Sequence, residues 1–352
     1  MQSDSLSQLR AEIQHKKKIL ALRSELKSKQ ELLHAHQIDT KRAQLLTVNL
    51  PHHLPSSFPP RLLPYHCGLY NLGNTCYMAS VFQCLYASYA IKQRLHIVAA
   101  DLRELPRLPT TVLDHLAILF DNTHSTFHSA LSPRSVHSML PKPFCSLDQQ
   151  DAAEFIHVLF DTLNDISLTN EIQLHTVTTI TCDKCKTPKN TQDSALVLDV
   201  PISSDTIPTD LQTLVNVSLS PEHMVDVGFK CDTCGVGDAT KLFSVVIPPP
   251  TLLLALKRFS YDSQLQMGSK IMRSVKIPPK LILPVVHTHV VTYILRAIIA
   301  HNGPTAQVGH YVTLQHFDDR EFVFDDNDVS SGTLNDLHPL TTPYVFMYCR
   351  SE

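Results

Sequence analysis

Two cysteine pairs limit how this chain can fold more than any other feature does. "TCDKCK" holds Cys182 and Cys185, "KCDTCG" holds Cys231 and Cys234, and 45 residues lie between the pairs. Each C-x-x-C offers two thiolates from one tight turn, and two such turns complete a tetrahedral Cys₄ zinc site. A gap of this length means that intervening strands must run out and back to bring the turns together. A redox reading needs a single C-x-x-C at the start of a βαβ helix, a setting that neither segment has. Zinc is therefore favoured over unrelated thiols. With four protein sulfurs as ligands no open position remains, so the metal is expected to be structural, and no catalytic cofactor is expected.

The nine cysteines are odd in number, and the N-terminal "MQSDSLSQLR" lacks an apolar signal core. Together these argue for a reducing compartment, cytosol or nucleus, and against a disulfide framework. No apolar run approaches ~18 residues, so no membrane span is expected. At 352 residues, 43% apolar and 18% charged, the chain has the make-up of an ordinary soluble globular protein. Its net charge of −3 supplies no basic field for nucleic acid.

Residues 4–46 contain neither Pro nor Gly. Leu6, Leu9, Ile13 and Leu20, then Ile19, Leu22, Leu26 and Leu33, follow helical spacing in two registers, and Lys16 and Lys29 interrupt the seam. An amphipathic helix is predicted over 1–48, with a coiled coil and a helical partner for 4–46 as the open alternative. The lysines at 16–18 read as a solvated helix face rather than a localisation signal. Pro51, Pro55, Pro59, Pro60 and Pro64 predict an extended linker over 49–64, which leaves 65–351 as the main domain. There, helical patterns come first, at about 76–95, 111–121 and 149–165, and strand-like runs follow, which points to an α+β class. Ser146 and Gln149 have the spacing of a capping box, which puts Gln150 and Asp151 on an exposed first helical turn.

"GLYNLGNTCYMASVFQCL", residues 68–85, carries a glycine- and asparagine-rich loop into an apolar helical segment at Cys76. Taken alone, Cys76 is a buried structural thiol, a metal ligand or a nucleophile. In the first turn of a helix, unpaired N–H groups and the positive dipole end favour a thiolate. Asn71 adds a side-chain amide, and an amide with a backbone N–H is how acyl-transfer enzymes hold a tetrahedral oxyanion. Cys84, in the same stretch, reads as helix packing.

A nucleophile needs a base. In "GHYVTLQHFDDREFVFDDNDVS", residues 309–330, His310, Val312 and Leu314 alternate with Tyr311, Thr313 and Gln315, a strand pattern. A turn near 318–320 and the run "EFVF" predict a hairpin that returns the acidic pair Asp325 and Asp326 towards His310. A carboxylate on one ring nitrogen orients an imidazole and leaves the other nitrogen for a thiol. Gly309 permits close backbone approach beside it.

Taken together, these segments resemble the catalytic domain of the ubiquitin-specific proteases, papain-like cysteine deubiquitinases. "SLDQQDAAEF" (146–155), "LLLALKRFSYD" (252–262) and "YVFMYCR" (344–350) also fall in the family's order, so the likeness covers about 65–351. It implies an α+β, papain-like fold of thumb, palm and fingers, with the fingers at about 174–246 and their four cysteines on zinc. It implies thiol-dependent hydrolysis after the C-terminal glycine of ubiquitin, with ubiquitin and ubiquitinated proteins as partners. Matched motif by motif, Cys76 corresponds to the nucleophile, His310 to the general base, Asp325 to the third triad member and Asn71 to the oxyanion side chain. Asp326 takes a supporting place, and Gln150, Asp151, Gly309 and Tyr311 fall where the family meets ubiquitin's tail. Ala79 and Ala153 stand where the family commonly has asparagine and histidine, and the usual aromatic near Glu321 is missing. Two alternatives remain: a ubiquitin-binding scaffold with little or no turnover, and a protease for another ubiquitin-like modifier.

Overall fold

Residues 76–86 contain no helix breaker and form α1 (Cys76–Tyr86), every residue of which is buried. A helix covered on all sides belongs in an interior, and this one is the centre around which the other helices gather. In the computed structural model the described residues are 67–104, 108–125, 130–203, 207, 209–262, 267–286, 289–306, 308–317 and 320–351. The helix expected over 1–48 and the linker at 49–64 lie outside them. The single helix expected over 76–95 is instead two. The chain turns at Ala87 and Ser88, and the Ser88 hydroxyl accepts from Ile91 N at 3.4 Å to open α2 (Tyr89–Glu104). The layer continues with α3 (Val112–Ser125), α4 (Ala152–Leu163) and α5 (Ile166–Ile172).

The capping box expected at Ser146 is not formed. Ser146 Oγ accepts from Asp148 N, whereas the N-cap of α4 is Asp151, whose carboxylate accepts from Ala153 N at 2.7 Å and Glu154 N at 3.0 Å. An ionised acceptor on two first-turn N–H groups is the stronger cap. The helix therefore starts at Ala152 and places Gln150 and Asp151 just before it.

Strands follow the helices. Those of the two main sheets are, in chain order, β1 (Leu174–Cys182), β2 (Pro188–Ala195), β3 (Leu198–Val200), β4 (Glu222–Met224), β5 (Ala239–Ile247), β6 (Thr251–Leu256), β7 (Lys280–Val285), β8 (His289–Thr305), β9 (Val308–Phe317), β10 (Arg320–Asp325), β11 (Asp328–Ser331) and β12 (Thr341–Arg350). A small sheet has the order β2-β1-β5-β4, and a large one the order β11-β10-β9-β8-β12-β6-β3, with β7 also paired to β8. The stretch expected as fingers, about 174–246, is not continuous. β3 leaves the small sheet to pair in parallel with β6, and α6 (Leu211–Ser218) packs in the core behind the large sheet.

The large sheet has no solvent face over its central strands. Leu253, Ala255, Ala297, Ile299, Val345 and Met347 pack against the helices. Their immediate neighbours Leu252, Leu254, Ile298, Ala300, Phe346 and Tyr348 form a second core with α6. The strand period of two sorts one sequence into two cores. On the helix side, Phe155 meets Tyr77 and Phe144 at ring-centroid distances of 5.3 and 5.5 Å, so that α4 is locked onto α1. Truncating such a ring costs about 3–5 kcal/mol.

Candidate active site

The loop before α1 is built around Asn71. Its Oδ1 accepts from Gly73 N and Thr75 N at 3.0 Å and from Thr75 Oγ1 at 3.2 Å, while Leu72 N donates to Thr75 Oγ1 at 2.9 Å. Gly73 and Asn74, at φ 115° and 53°, make the left-handed turn that this closure needs. The chain thus reaches α1 with Cys76 as its first residue. Thr75, its hydroxyl engaged by this loop, gives α1 no side-chain cap.

β9 lies along α1 and carries His310 to Cys76. Two buried side chains of this strand tie it to helix carbonyls: Thr313 Oγ1 donates to Ser80 O at 2.8 Å and Gln315 Nε2 to Gln83 O at 2.7 Å. β10 then runs back beside β9 and ends at Asp325, whose Oδ1 lies 2.6 Å from His310 Nε2. The Asp325 hydrogen bond, followed by the one with the Cys76 thiol, raises the imidazole to about 10, against the opposing effect of burial. With Nε2 turned to Asp325, Nδ1 is the nitrogen left for the thiol. Cys76 is only 2% exposed, and the imidazole beside it distinguishes it from an ordinary core thiol.

Asp326, at φ 51°, begins the turn after β10, and its Oδ2 accepts from Asn71 Nδ2 at 2.9 Å. Its backbone oxygen accepts from Leu69 N at 2.8 Å, so the acidic turn and the cysteine loop are joined twice. Burial raises the Asp326 carboxyl above its ordinary range. Gly309 N donates to Gln149 Oε1 at 3.1 Å, which links the hairpin to the segment before α4. Asp151 also accepts from the Tyr344 hydroxyl, at 2.9 and 2.8 Å to its two oxygens. Gln150 is half-buried beside it. Tyr311, which the family likeness puts where ubiquitin's tail is met, has a wholly buried side chain whose hydroxyl donates to Ala306 O at 3.2 Å. It faces the interior because β9 is covered on both faces. The part played by Tyr344 went unread in the sequence, since its partner Asp151 is 193 residues away and nothing local points to it.

The four paired cysteines meet at the end of the small sheet. Cys182 Sγ lies 3.6 Å from Cys234 Sγ, Cys185 Sγ lies 3.6 Å from Cys231 Sγ, and all four sulfurs fall within 4.8 Å of one another. Four sulfurs on one zinc, each at ~2.3 Å, stand about 3.8 Å apart, so both the spacing and the donor chemistry suit that ion. Each pair turns the same way, with Lys186 and Gly235 following the second cysteine at φ 58° and 88°. Among the described residues no helix is long and apolar enough to cross a membrane.

Comparison with known proteins agrees with this geometry. The family model for ubiquitin carboxyl-terminal hydrolase (UCH) matches residues 67–348. The chain is 24% identical over 279 residues to the probable ubiquitin carboxyl-terminal hydrolase 8 of Schizosaccharomyces pombe, covering 74% of this chain and 60% of the relative. It is 28% identical over 303 residues to ubiquitin carboxyl-terminal hydrolase 26 of Arabidopsis thaliana, covering 75% of this chain and 26% of the relative. The chain thus spans less than two thirds of either relative. In fold it is similar to a chain in the structure of the SAGA Ubp8/Sgf11/Sus1/Sgf73 DUB module bound to ubiquitin aldehyde, with a TM-score of 0.69, 19% identity, and coverage of 84% of this chain and 72% of that one. With a family model matched from the first described residue almost to the end of the last strand, this chain belongs to the ubiquitin carboxyl-terminal hydrolase family.

Proposed function

We propose that the chain is a thiol-dependent deubiquitinase, hydrolysing the peptide or isopeptide bond after the C-terminal glycine of ubiquitin. The observation that carries this reading is the His310 imidazole, held at 2.6 Å by Asp325 and raised by that carboxylate and by the neighbouring Cys76 thiol. Cys76 gives its proton to His310 and the thiolate attacks the glycine carbonyl carbon. Negative charge then gathers on the carbonyl oxygen. Asn71 Nδ2 carries two hydrogens; Asp326 accepts one and so aims the other at the oxyanion. As the C–N bond breaks, the His310 imidazolium protonates the leaving amine and a thioester to Cys76 remains. His310 next takes a proton from water, whose oxygen attacks the thioester carbonyl, and the sulfur leaves to regain the proton.

Ubiquitin and ubiquitinated proteins are the substrates in this reading. Asp151, anchored by two helix N–H groups and Tyr344, supplies a fixed negative charge for the basic residues of ubiquitin's tail. Cys182, Cys185, Cys231 and Cys234 hold a structural Zn²⁺, which joins the two turns and takes no part in the chemistry.

Ubiquitin with an electrophilic C-terminus tests the proposal. One equivalent is expected to bond to the wild-type chain and none to Cys76→Ala. An unlabelled wild type, or equal labelling of the variant, sinks it. Faster labelling by another ubiquitin-like modifier bearing the same electrophile would reassign the substrate.

A further inference from the structure

A second histidine stands in the other strand of the hairpin that carries His310. In the register of β8 and β9, Asn302 pairs with His310 and His301 with Tyr311. His301 is 0% exposed, and its ring lies between those of Tyr311 and Phe259, at centroid distances of 4.4 and 5.4 Å. Lys270 reaches it from the strand Met267–Lys270, where Nζ donates to His301 O at 2.6 Å and stands 3.2 Å from His301 Nδ1. An ammonium group has no lone pair, so Nδ1 accepts and the ring hydrogen sits on Nε2. Burial first, then the Lys270 and His310 charges, push this imidazole down to about 3, so the ring is neutral across the working range.

Nε2 has no hydrogen-bond partner among the described residues. Glycine backbone lies over it. A Cβ on Gly309 would come 2.6 Å from His301 Nε2, and one on Gly303 would come 2.9 Å from Cε1, with both residues at left-handed φ, +148° and +152°. The ring is thus in direct contact with both arms of the hairpin. Gly309 is bonded to His310, and its N–H is held from the cleft side by Gln149 Oε1.

We propose that His301, fixed by Lys270, is a positioning residue: its ring is the floor on which Gly309 rests, and it sets the approach of His310 to Cys76. The inference rests on Cys76 and His310 being the reacting pair. A plain packing role for His301 would change the fraction of folded molecules and leave the rate per folded molecule alone. A positioning role changes that rate, because a misplaced base slows the chemistry more than it weakens binding.

The experiment compares wild type, His301→Ala, Lys270→Met and Lys270→Arg on a fluorogenic amide of the ubiquitin C-terminus, per folded molecule counted by near-ultraviolet circular dichroism. For His301→Ala, kcat is expected to fall about a hundredfold with KM moving less than about threefold; for Lys270→Met, kcat falls about tenfold. Lys270→Arg, which keeps a donor at His301 O, should recover most of that loss. Alkylation of Cys76 by iodoacetamide should slow in the same order, since a displaced His310 no longer draws off the thiol proton. An unchanged kcat in both variants, or a loss confined to KM, overturns the proposal. If His301→Ala does not fold, Lys270→Met decides alone. A wild type that fails to cleave refutes the deubiquitinase reading instead, and the iodoacetamide rates then decide the positioning claim by themselves.

Discussion

The large and small sheets are built from the same kind of strand and held together by different means. In the large sheet, β9 is buried on both faces: Val312 and Leu314 enter one core, while Tyr311, Thr313 and Gln315 face α1. In the small sheet, β2 is exposed from Pro188 to Ser194, and most of β1 is only half-buried. A sheet that covers so little apolar surface does not by itself offset the entropy of ordering its residues. Its organising feature is the group of four sulfurs at its end. Packing therefore sets where His310 meets Cys76, whereas the small sheet has its four gathered sulfurs, whose ligation by a metal would fix its shape. The two regions should fail under different insults.

Metal removal is the harshest way to test that contrast. Wild type is expected to carry about one zinc per chain, and chelation or Cys231→Ser should remove it. Structural zinc is worth an apparent ~10–16 kcal/mol in isolated zinc-finger peptides, so amide protection in β1 and β5 should collapse. Protection in α1 and β9 should persist. A zinc-free chain that keeps β1 and β5 protected would show that packing holds both sheets.

The next effect belongs to the packed region. Asn71 has two tasks, since Oδ1 closes the loop before Cys76 and Nδ2 faces Asp326. Asn71→Ala should slow turnover by roughly 10²–10³ while ubiquitin binding stays nearly intact. Asn71→Asp keeps the loop acceptor and removes the donor. If it turns over like wild type, loop closure is the only task that matters.

Asp325→Asn gives a smaller, directional effect. The reactive state needs an imidazolium at His310, which Asp325 and Cys76 together hold to about 10, so activity is lost as pH rises through that value. Without the carboxylate, the alkaline limb should move down. His310 and Asp325 side chains are 38% and 54% exposed, which places the shift at the lower end of the usual range, about one pH unit. An unmoved limb would leave Cys76 as the main cause of the raised value.

The features legible in the sequence are those whose chemistry is local. Cys76 sits at the junction of a turn and a helix, each cysteine pair lies within four residues, and Gly309-His310 precedes an alternating strand. What stayed hidden depends on which surface a strand meets. Thr313 and Gln315 look like the wet side of a half-buried strand, yet they spend their polar atoms on the carbonyls of a buried helix. Tyr311, expected at ubiquitin's tail from the family likeness, lies on that same covered face. Ser146 and Asp151 both suit a helix start, and the Tyr344 hydroxyl, 193 residues from Asp151, takes part at one of them only. The excursion of β3 out of the small sheet was unreadable because its partner, β6, lies about fifty residues further on.

Thr313→Val is the mildest test of the same contrast. The substitution keeps the shape and removes only the hydroxyl that donates to Ser80 O at 2.8 Å. Ser80 O retains the helical hydrogen bond from four residues on, so no acceptor is stranded, and the loss should be about 0.5–1.5 kcal/mol. That amount corresponds to a fall of about 1–6 °C in the transition followed through the helices. Because the bond joins α1 to β9, the loss should appear as faster amide exchange in those two elements, with β1 and β2 unaffected. Faster exchange spreading into β1 and β2 would mean that the small sheet draws on the same packing, and that zinc is one support among several there.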